Sequence, residues 1–468
     1  MRHMRILCAA LAFVLIAAQP PDIRTRIDAY VKALSSGSPD QFDRMATDNF
    51  TPELLARTAA QRRSMVARVH DDFGEIAIAN ERMTSATHVE LDIESHKNSM
   101  PLIITMDFEA AAPHRIASVS LRAGGPAGGG RGGAPPIPAA PISATMPGEE
   151  LSLALGAYLG GLAAANDFAG VVLVAKDGTS IFENAYGAAN PGSNAPMSVD
   201  LRFNIASIGK AFTKTAIGQL IQSGKVKPTD TLGALLPDYP NSDAKPATVD
   251  QLLHFQVGIA DFFGEAFART PKDRFQSNQD YYAFVAPRPL SFKPGEKTEY
   301  CNGCYVVLGE IIAKVTGVSY ERYIQDHVFG PSGMKTAGFL AFGDPQVALG
   351  YTRGSPDQPW TSALEMHGHH GSAAGGAYAG VHDLLAFDNA IRTHVLLDAK
   401  TTGWFFDNPA DQSRSRAMDT YGIAGGAPGA NASLESDGRW TIVTLGNLDP
   451  PNAVRVGEAL AAALSSRR

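Results

Sequence analysis

The chain has 468 residues, more than one hydrophobic core ordinarily serves, so at least two folded units are expected. With 44% hydrophobic and 19% charged residues it is not a largely disordered chain. A net charge of −7 and the lack of a Lys/Arg stripe exclude nucleic acid as a partner, because binding a phosphate backbone needs a basic footprint.

At the N-terminus, Arg2 and Arg5 precede "ILCAALAFVLIAA" and then "QPPD". A basic flank, a short apolar run and a break are the composition of an export signal, placed at residues 1–18. The expected product is exported, periplasmic or extracellular, and begins near Gln19. Ile16 and Ala18 occupy the places usually held by small residues before a cleavage site, so an uncleaved anchor is the alternative. No later run approaches the ~18 consecutive apolar residues of a membrane-spanning helix.

In "PDIRTRIDAYVKALSSG", Ile23, Ile27, Tyr30, Val31 and Leu34 recur on one helical face, with Asp22 as a candidate N-cap and Gly37 as a stop. The stretches "EIAIAN", "HVELDIE", "PLIITMDF" and "RIASVSL" mostly alternate apolar with polar residues, as strands with one buried face do. Residues 22–123 therefore read as a small α+β domain of helices followed by an antiparallel meander, and no convergent catalytic set is visible in it. The pattern resembles the cone-shaped nuclear-transport-factor-2-like domains. Glycine and proline then dominate residues 124–148, which read as a linker because neither helix nor ladder can propagate there.

Order resumes over residues 149–468. A helix through "LSLALGAYLGGLAAAN" precedes two strand-like runs joined at Asp177 and Gly178. The far end mirrors it, with "ANASLES", a turn at Asp437 and Gly438, "RWTIVTLGN" and a final helix. Both ends are expected to complete one antiparallel sheet covered by helices, while the middle is mostly helical. Within it, Cys301 and Cys304 are spaced C-x-x-C in "YCNGCY". They are readable as two small residues packed under a helix start or as a disulfide; a metal site would need more ligands than this pair offers.

The chemistry centres on "FNIASIGKAF". A serine hydroxyl needs a base within reach and donors for the developing oxyanion. Residues three apart share a helical face, so Lys210 can reach Ser207, and a helix start favours negative charge there. Alone, S-x-x-K is weak, because it occurs by chance in many helices. Its surroundings, "IASIGKAFTKTAIGQLIQSGKVKPTDTLGALLPDYPN" and "TVDQLLHFQVGIADF", together with Tyr300, Cys301 and Asn302 as Y-x-N, resemble the serine β-lactamase and penicillin-binding-protein superfamily. The resemblance is to its branch of class C β-lactamases, D-peptidases and carboxylesterases, and runs from about residue 150 to 465. "SAAGGAYAGVHDLLAFDNAI" resembles the family's glycine-rich turn and "GIAGGAPGANASLES" its third-motif strand.

The resemblance implies an α+β fold of the β-lactamase/transpeptidase type: an antiparallel sheet flanked by helices, with a mostly helical lobe. It implies Ser207 as nucleophile, Lys210 and Tyr300 as the proton-handling pair, and Asn302 orienting Lys210 and the substrate amide. It places the oxyanion donors at the backbone N–H groups of Ser207 and Gly426, with Gly425 letting the strand pass close to the substrate. No cofactor or metal is implied, and the partner is a small-molecule ester, amide or peptide.

Two departures stand out. Ile423 occupies the place usually held by Lys, His or Trp, and "FQVG", with Phe255 and Val257, replaces a segment usually reading like "HTSG", which is expected to make that side of the cleft more apolar. "HGHH", with His367, His369 and His370, is read as a solvated loop rather than a metal site, and Lys214 as the solvated edge of the helix. The expected function is an exported serine hydrolase working through an acyl-enzyme, an esterase ahead of a D-peptidase or β-lactamase. The reading of another class is a binding or regulatory protein that keeps the fold without turnover. Oligomeric state and physiological substrate are not legible.

Overall fold

The computed structural model describes residues 21–58, 62–85, 87–95, 102–123, 137–190, 195–339, 344–353, 359–406 and 421–465. The export-signal reading at residues 1–18 lies outside them. Two compact units divide the chain, residues 1–125 and 126–468.

In the first unit, α1 (Pro21–Ser35) buries Ile23, Ile27, Tyr30 and Leu34 completely, the face given by their spacing. Asp22 stands inside its first turn rather than at its cap. Helices α2 (Pro39–Asn49), α3 (Pro52–Thr58) and α4 (Arg62–Phe73) follow. Strands β1 (Ile76–Ser85), β2 (His88–Ser95), β3 (Leu102–Phe108) and β4 (Ile116–Ala123) then form an antiparallel meander in sequence order. Val89, Leu91, Ile104 and Met106 are buried on one face, as alternation requires. On the polar face, His88 and Ser118 both bond to the carboxylate of Asp107. The carboxylate stands between the other two groups, so His88 is not placed to take a proton from the serine.

In the second unit, residues 137–147 fall inside the stretch read as a linker. These lie against α5 (Gly148–Ala164): Ile142 is buried and Tyr158 donates to the Pro138 carbonyl at 2.7 Å. The hairpin of β5 (Gly170–Lys176) and β6 (Thr179–Tyr186) turns at Asp177 and Gly178, with φ of 50° and 77°, the left-handed pair an Asp-Gly turn supplies at low cost. Helices α6 (Gly209–Gln222), α7 (Asn302–Thr316) and α8 (Val381–Arg392) belong to the middle of the chain. At its end stand β7 (Tyr421–Ala427), β8 (Ala430–Ser436), β9 (Trp440–Gly446) and α9 (Asn452–Leu464).

The sheet order is β7-β8-β9-β5-β6, antiparallel throughout, so the two ends of the unit do meet, with Trp440 opposite Lys176 and Gly446 opposite Gly170. Val172 and Val174 face a core made with α5 and α9, while Val171 and Leu173 face the larger core that holds α6, α7 and α8. Burial on both faces explains why "GVVLV" is continuously apolar. This is the α+β architecture expected of a β-lactamase/transpeptidase-type domain.

One buried polar network fixes β7 against α8. Asp388, fully buried, accepts from Tyr421 Oη at 2.6 Å, Thr441 Oγ1 at 2.6 Å, Ser436 Oγ at 3.1 Å and Arg392 Nε at 2.9 Å. Removing the carboxylate leaves a mostly buried guanidinium and three hydroxyls short of an acceptor. Asp388→Ala is therefore expected to lower unfolding stability by about 3–5 kcal/mol, read as a lower midpoint in urea with an unchanged slope.

Candidate active site

Ser207 sits in a 3-10 turn, Ala206–Ile208, that runs into α6. Ala206 is held at φ +45°, a conformation costly for a residue with a Cβ. Its N–H donates to Asn204 Oδ1 at 2.8 Å and its carbonyl accepts from the Gly376 N–H at 3.2 Å, which together hold the turn in place. Two glycines press on it from opposite segments. A Cβ on Gly425 would lie 2.2 Å from the Ile205 carbonyl oxygen, and one on Gly375 would lie 2.5 Å from that of Ala206. Both also approach the Ser207 backbone nitrogen to 3.2 Å.

Lys210 follows one turn later and is 7% exposed. Its ammonium donates to Ser207 Oγ at 3.3 Å, to Asn302 Oδ1 at 2.6 Å and to the Ala374 carbonyl, which uses all three N–H groups. The ammonium also stands 4.7 Å from the Tyr300 ring centroid and 5.6 Å from that of Tyr305.

Tyr300, 55% exposed, brings its hydroxyl to 2.6 Å from Ser207 Oγ. Burial, and secondarily Tyr300, push the Tyr305 phenol far above its ordinary pKa. Tyr305 therefore stays protonated and donates to the Leu253 carbonyl at 3.3 Å. Of the two rings beside the lysine, only Tyr300 reaches the serine.

Asn302 opens α7, with Cys301 as its cap. Its Nδ2 donates to Asp261 Oδ2 at 2.7 Å while its Oδ1 faces Lys210. Cys301 and Cys304 are joined as a disulfide, which settles the readings left open by their spacing and removes both thiols from any metal. In β7, Ile423 and Gly425 share a face, since alternate residues do, and Ile423 is half-buried opposite Leu434. Gly426 comes next, opposite Asn431.

The structure thus brings Ser207, Lys210, Tyr300 and Asn302 to one point, sets Gly425 in contact with the serine turn, and puts Ile423 and Gly426 on the adjoining strand. Asp261 and the Ala374 carbonyl were not found from the sequence. Asp261 stands 41 positions before its partner, and a backbone oxygen carries no side-chain signal.

Other expectations change. Phe255 does border the site, with its ring 5.0 Å from that of Tyr300, and φ +58° marks it as held in a left-handed conformation by its surroundings. Val257 is fully buried and does not make the cleft wall more apolar. Lys214 is not a solvated edge: its Nζ donates to the Phe405 carbonyl at 2.8 Å and lies over the Trp404 ring. The histidines are not a solvated loop either. His367 donates from Nε2 to the Pro428 carbonyl at 2.7 Å, and burial holds it below its ordinary pKa and neutral. His370 stacks on Phe339 at 5.7 Å, and among the described residues no His, Cys, Asp and Glu group is arranged to hold a metal.

A serine, a buried lysine and a tyrosine converging at the edge of an antiparallel sheet define the serine β-lactamase and penicillin-binding-protein class. The chain belongs to the Beta-lactamase family, whose model matches residues 157–466. It is 28% identical to the Bacillus subtilis (strain 168) protein PbpX over 302 residues, 62% of this chain and 73% of that one. It is 29% identical to the Brucella anthropi D-aminopeptidase over 174 residues. The latter match spans 37% of this chain and only 33% of the D-aminopeptidase, about a third of its length. A penicillin-binding protein from Bacillus halodurans superposes with a TM-score of 0.59 and 26% identity, over 65% of this chain and 99% of that one. The hydrolase EstCE1 shares the fold, with a TM-score of 0.57 and 17% identity over 68% of this chain and 100% of that one.

The close packing of the two glycines carries a prediction. Gly425→Ala and Gly375→Ala should each move the serine turn, and a displacement approaching 1 Å costs roughly 10²-fold in rate. A fluorophosphonate probe should label Ser207 about that much more slowly in either variant, with circular dichroism unchanged.

Proposed function

We propose that this protein is an exported serine hydrolase that cleaves a neutral acyl ester through an acyl-enzyme on Ser207. The observation that carries the reading is the pair of contacts at Ser207 Oγ: 2.6 Å to Tyr300 Oη and 3.3 Å to Lys210 Nζ. Tyr300 takes the serine proton as Oγ attacks the acyl carbon, under the field of the Lys210 ammonium. The N–H groups of Ser207 and Gly426 stabilise the oxyanion. As the acyl–oxygen bond breaks, the proton passes to the leaving alkoxide, and water then repeats the sequence to release the acid and restore the serine. Export rests on the basic flank and apolar run at the N-terminus; no described helix is long and apolar enough to cross a membrane.

Ile423 supports the ester over a β-lactam or carboxylate-terminated peptide. On the β7 face that meets the serine turn it offers no hydrogen bond to an anionic group, whereas a neutral ester requires none. The D-aminopeptidase relative makes a D-amino-acid amide or peptide the competing substrate class.

Ser207→Ala should abolish covalent labelling and turnover with the fold intact, and Lys210→Ala and Tyr300→Phe should each lower kcat by about 10² or more without adding. Acylation of wild-type Ser207 by a nitrophenyl ester with no release of the acyl group would instead identify a binding protein. Short-chain nitrophenyl esters should be hydrolysed at least roughly a hundredfold faster than cephalosporins, and Ile423→Lys should narrow that gap. Efficient cephalosporin or D-Ala-D-Ala hydrolysis by the unmodified protein would overturn the ester preference.

A further inference from the structure

The loop that carries Asp261 crosses the start of α7 beside Asn302. Asn302 can lie two ways, because its amide oxygen and nitrogen are related by a half-turn of the side chain. One way faces an oxygen to the Lys210 ammonium, and the other faces N–H groups to it. The bond that decides between them is on the opposite side of the amide: Nδ2 donates to Asp261 Oδ2 at 2.7 Å.

Asp261 is itself fixed. Its Oδ1 accepts the Phe263 N–H at 3.0 Å, and its backbone carbonyl accepts from Arg288 Nη1 at 2.8 Å. The loop lies hard against the helix, since a Cβ on Gly303 would come within 2.5 Å of the Ala260 carbonyl oxygen. A carboxylate can only accept, so it admits the N–H side of the amide and rejects the oxygen side.

We propose that Asp261 is a positioning residue for hydrolysis: it locks the Asn302 amide with its oxygen on the Lys210 ammonium, and thereby holds that ammonium beside Ser207. The lock leaves one Nδ2 hydrogen for an acceptor on the acyl side of a substrate. Without it, the amide is free to turn, and the lysine loses one of its three acceptors for part of the time. The proposal rests on the hydrolase reading above.

The test is a double-mutant cycle on hydrolysis of 4-nitrophenyl acetate, with Asp261→Ala, Asn302→Ala and both together. Asp261→Ala should lower kcat about tenfold or more with KM changed less than about threefold, and should cause no further loss in the Asn302→Ala background. Asp261→Asn, which keeps one acceptor for Nδ2, should recover part of the rate. Equal losses in both backgrounds, or a raised KM with kcat unchanged, would overturn the proposal.

A second arm does not depend on turnover. In protein labelled with 15N-asparagine, one Asn302 Nδ2 proton should be protected from exchange and lose that protection in Asp261→Ala. An unchanged signal would refute the lock. Failure of wild type to take a fluorophosphonate label at Ser207 would refute the hydrolase reading instead, and the exchange measurement would still decide the placement of Asn302.

Discussion

The arrangement depends on one buried cation. Lys210 is 7% exposed, and an ammonium taken out of water costs several kcal/mol unless each N–H finds an acceptor. Its three acceptors come from the turn at Ser207, the first residue of α7 and the carbonyl of Ala374. Meeting that one electrostatic demand pulls three distant parts of the chain to a point. The serine is then placed as part of solvating the lysine, and the same contacts that make burial tolerable make the pair chemically useful.

Steric constraint completes what charge begins. The serine turn is confined between Gly375 and Gly425, where no side chain fits, and Ala206 carries positive φ inside that space. Phe255, also at positive φ, lays its ring on Tyr300 from the other side. Strained backbone persists only where its surroundings over-determine it, and around Ser207 the surroundings are β7 and the glycine turn at Gly375. Asp388 extends the constraint outward, because from α8 it accepts one hydrogen bond from each of Tyr421 in β7, Ser436 in β8 and Thr441 in β9.

The edge strand β7 gives the site its individual character. In β7 the face that meets the serine turn carries Ile423, and beside Tyr300 the wall is the ring of Phe255. Both replace polar groups that the family resemblance leads one to expect. Ser207, Lys210, Tyr300 and Asn302 thus meet at one point while the polar groups expected on β7 and beside Tyr300 are changed, and that combination separates the reading of reaction type from the reading of substrate class.

The sequence by itself determined whatever depends on neighbours along the chain. The apolar face of α1 follows from 3.6-residue spacing, the strands at residues 170–176 and 440–446 from apolar runs, and their hairpins from Asp-Gly turns, since each of these is a short-range preference. The S-x-x-K and Y-x-N stretches were legible for the same reason. Tertiary structure alone decided the contacts between positions far apart. Lys214 meets Phe405 across 191 positions, Lys210 meets Ala374 across 164, and Asn302 meets Asp261 across 41. It also turned Val257 inward, set His367 and His370 on separate partners and closed the bridge between Cys301 and Cys304. Local pattern records which face of an element is apolar, but not what that face, or a lone polar group on it, will meet once the chain has closed.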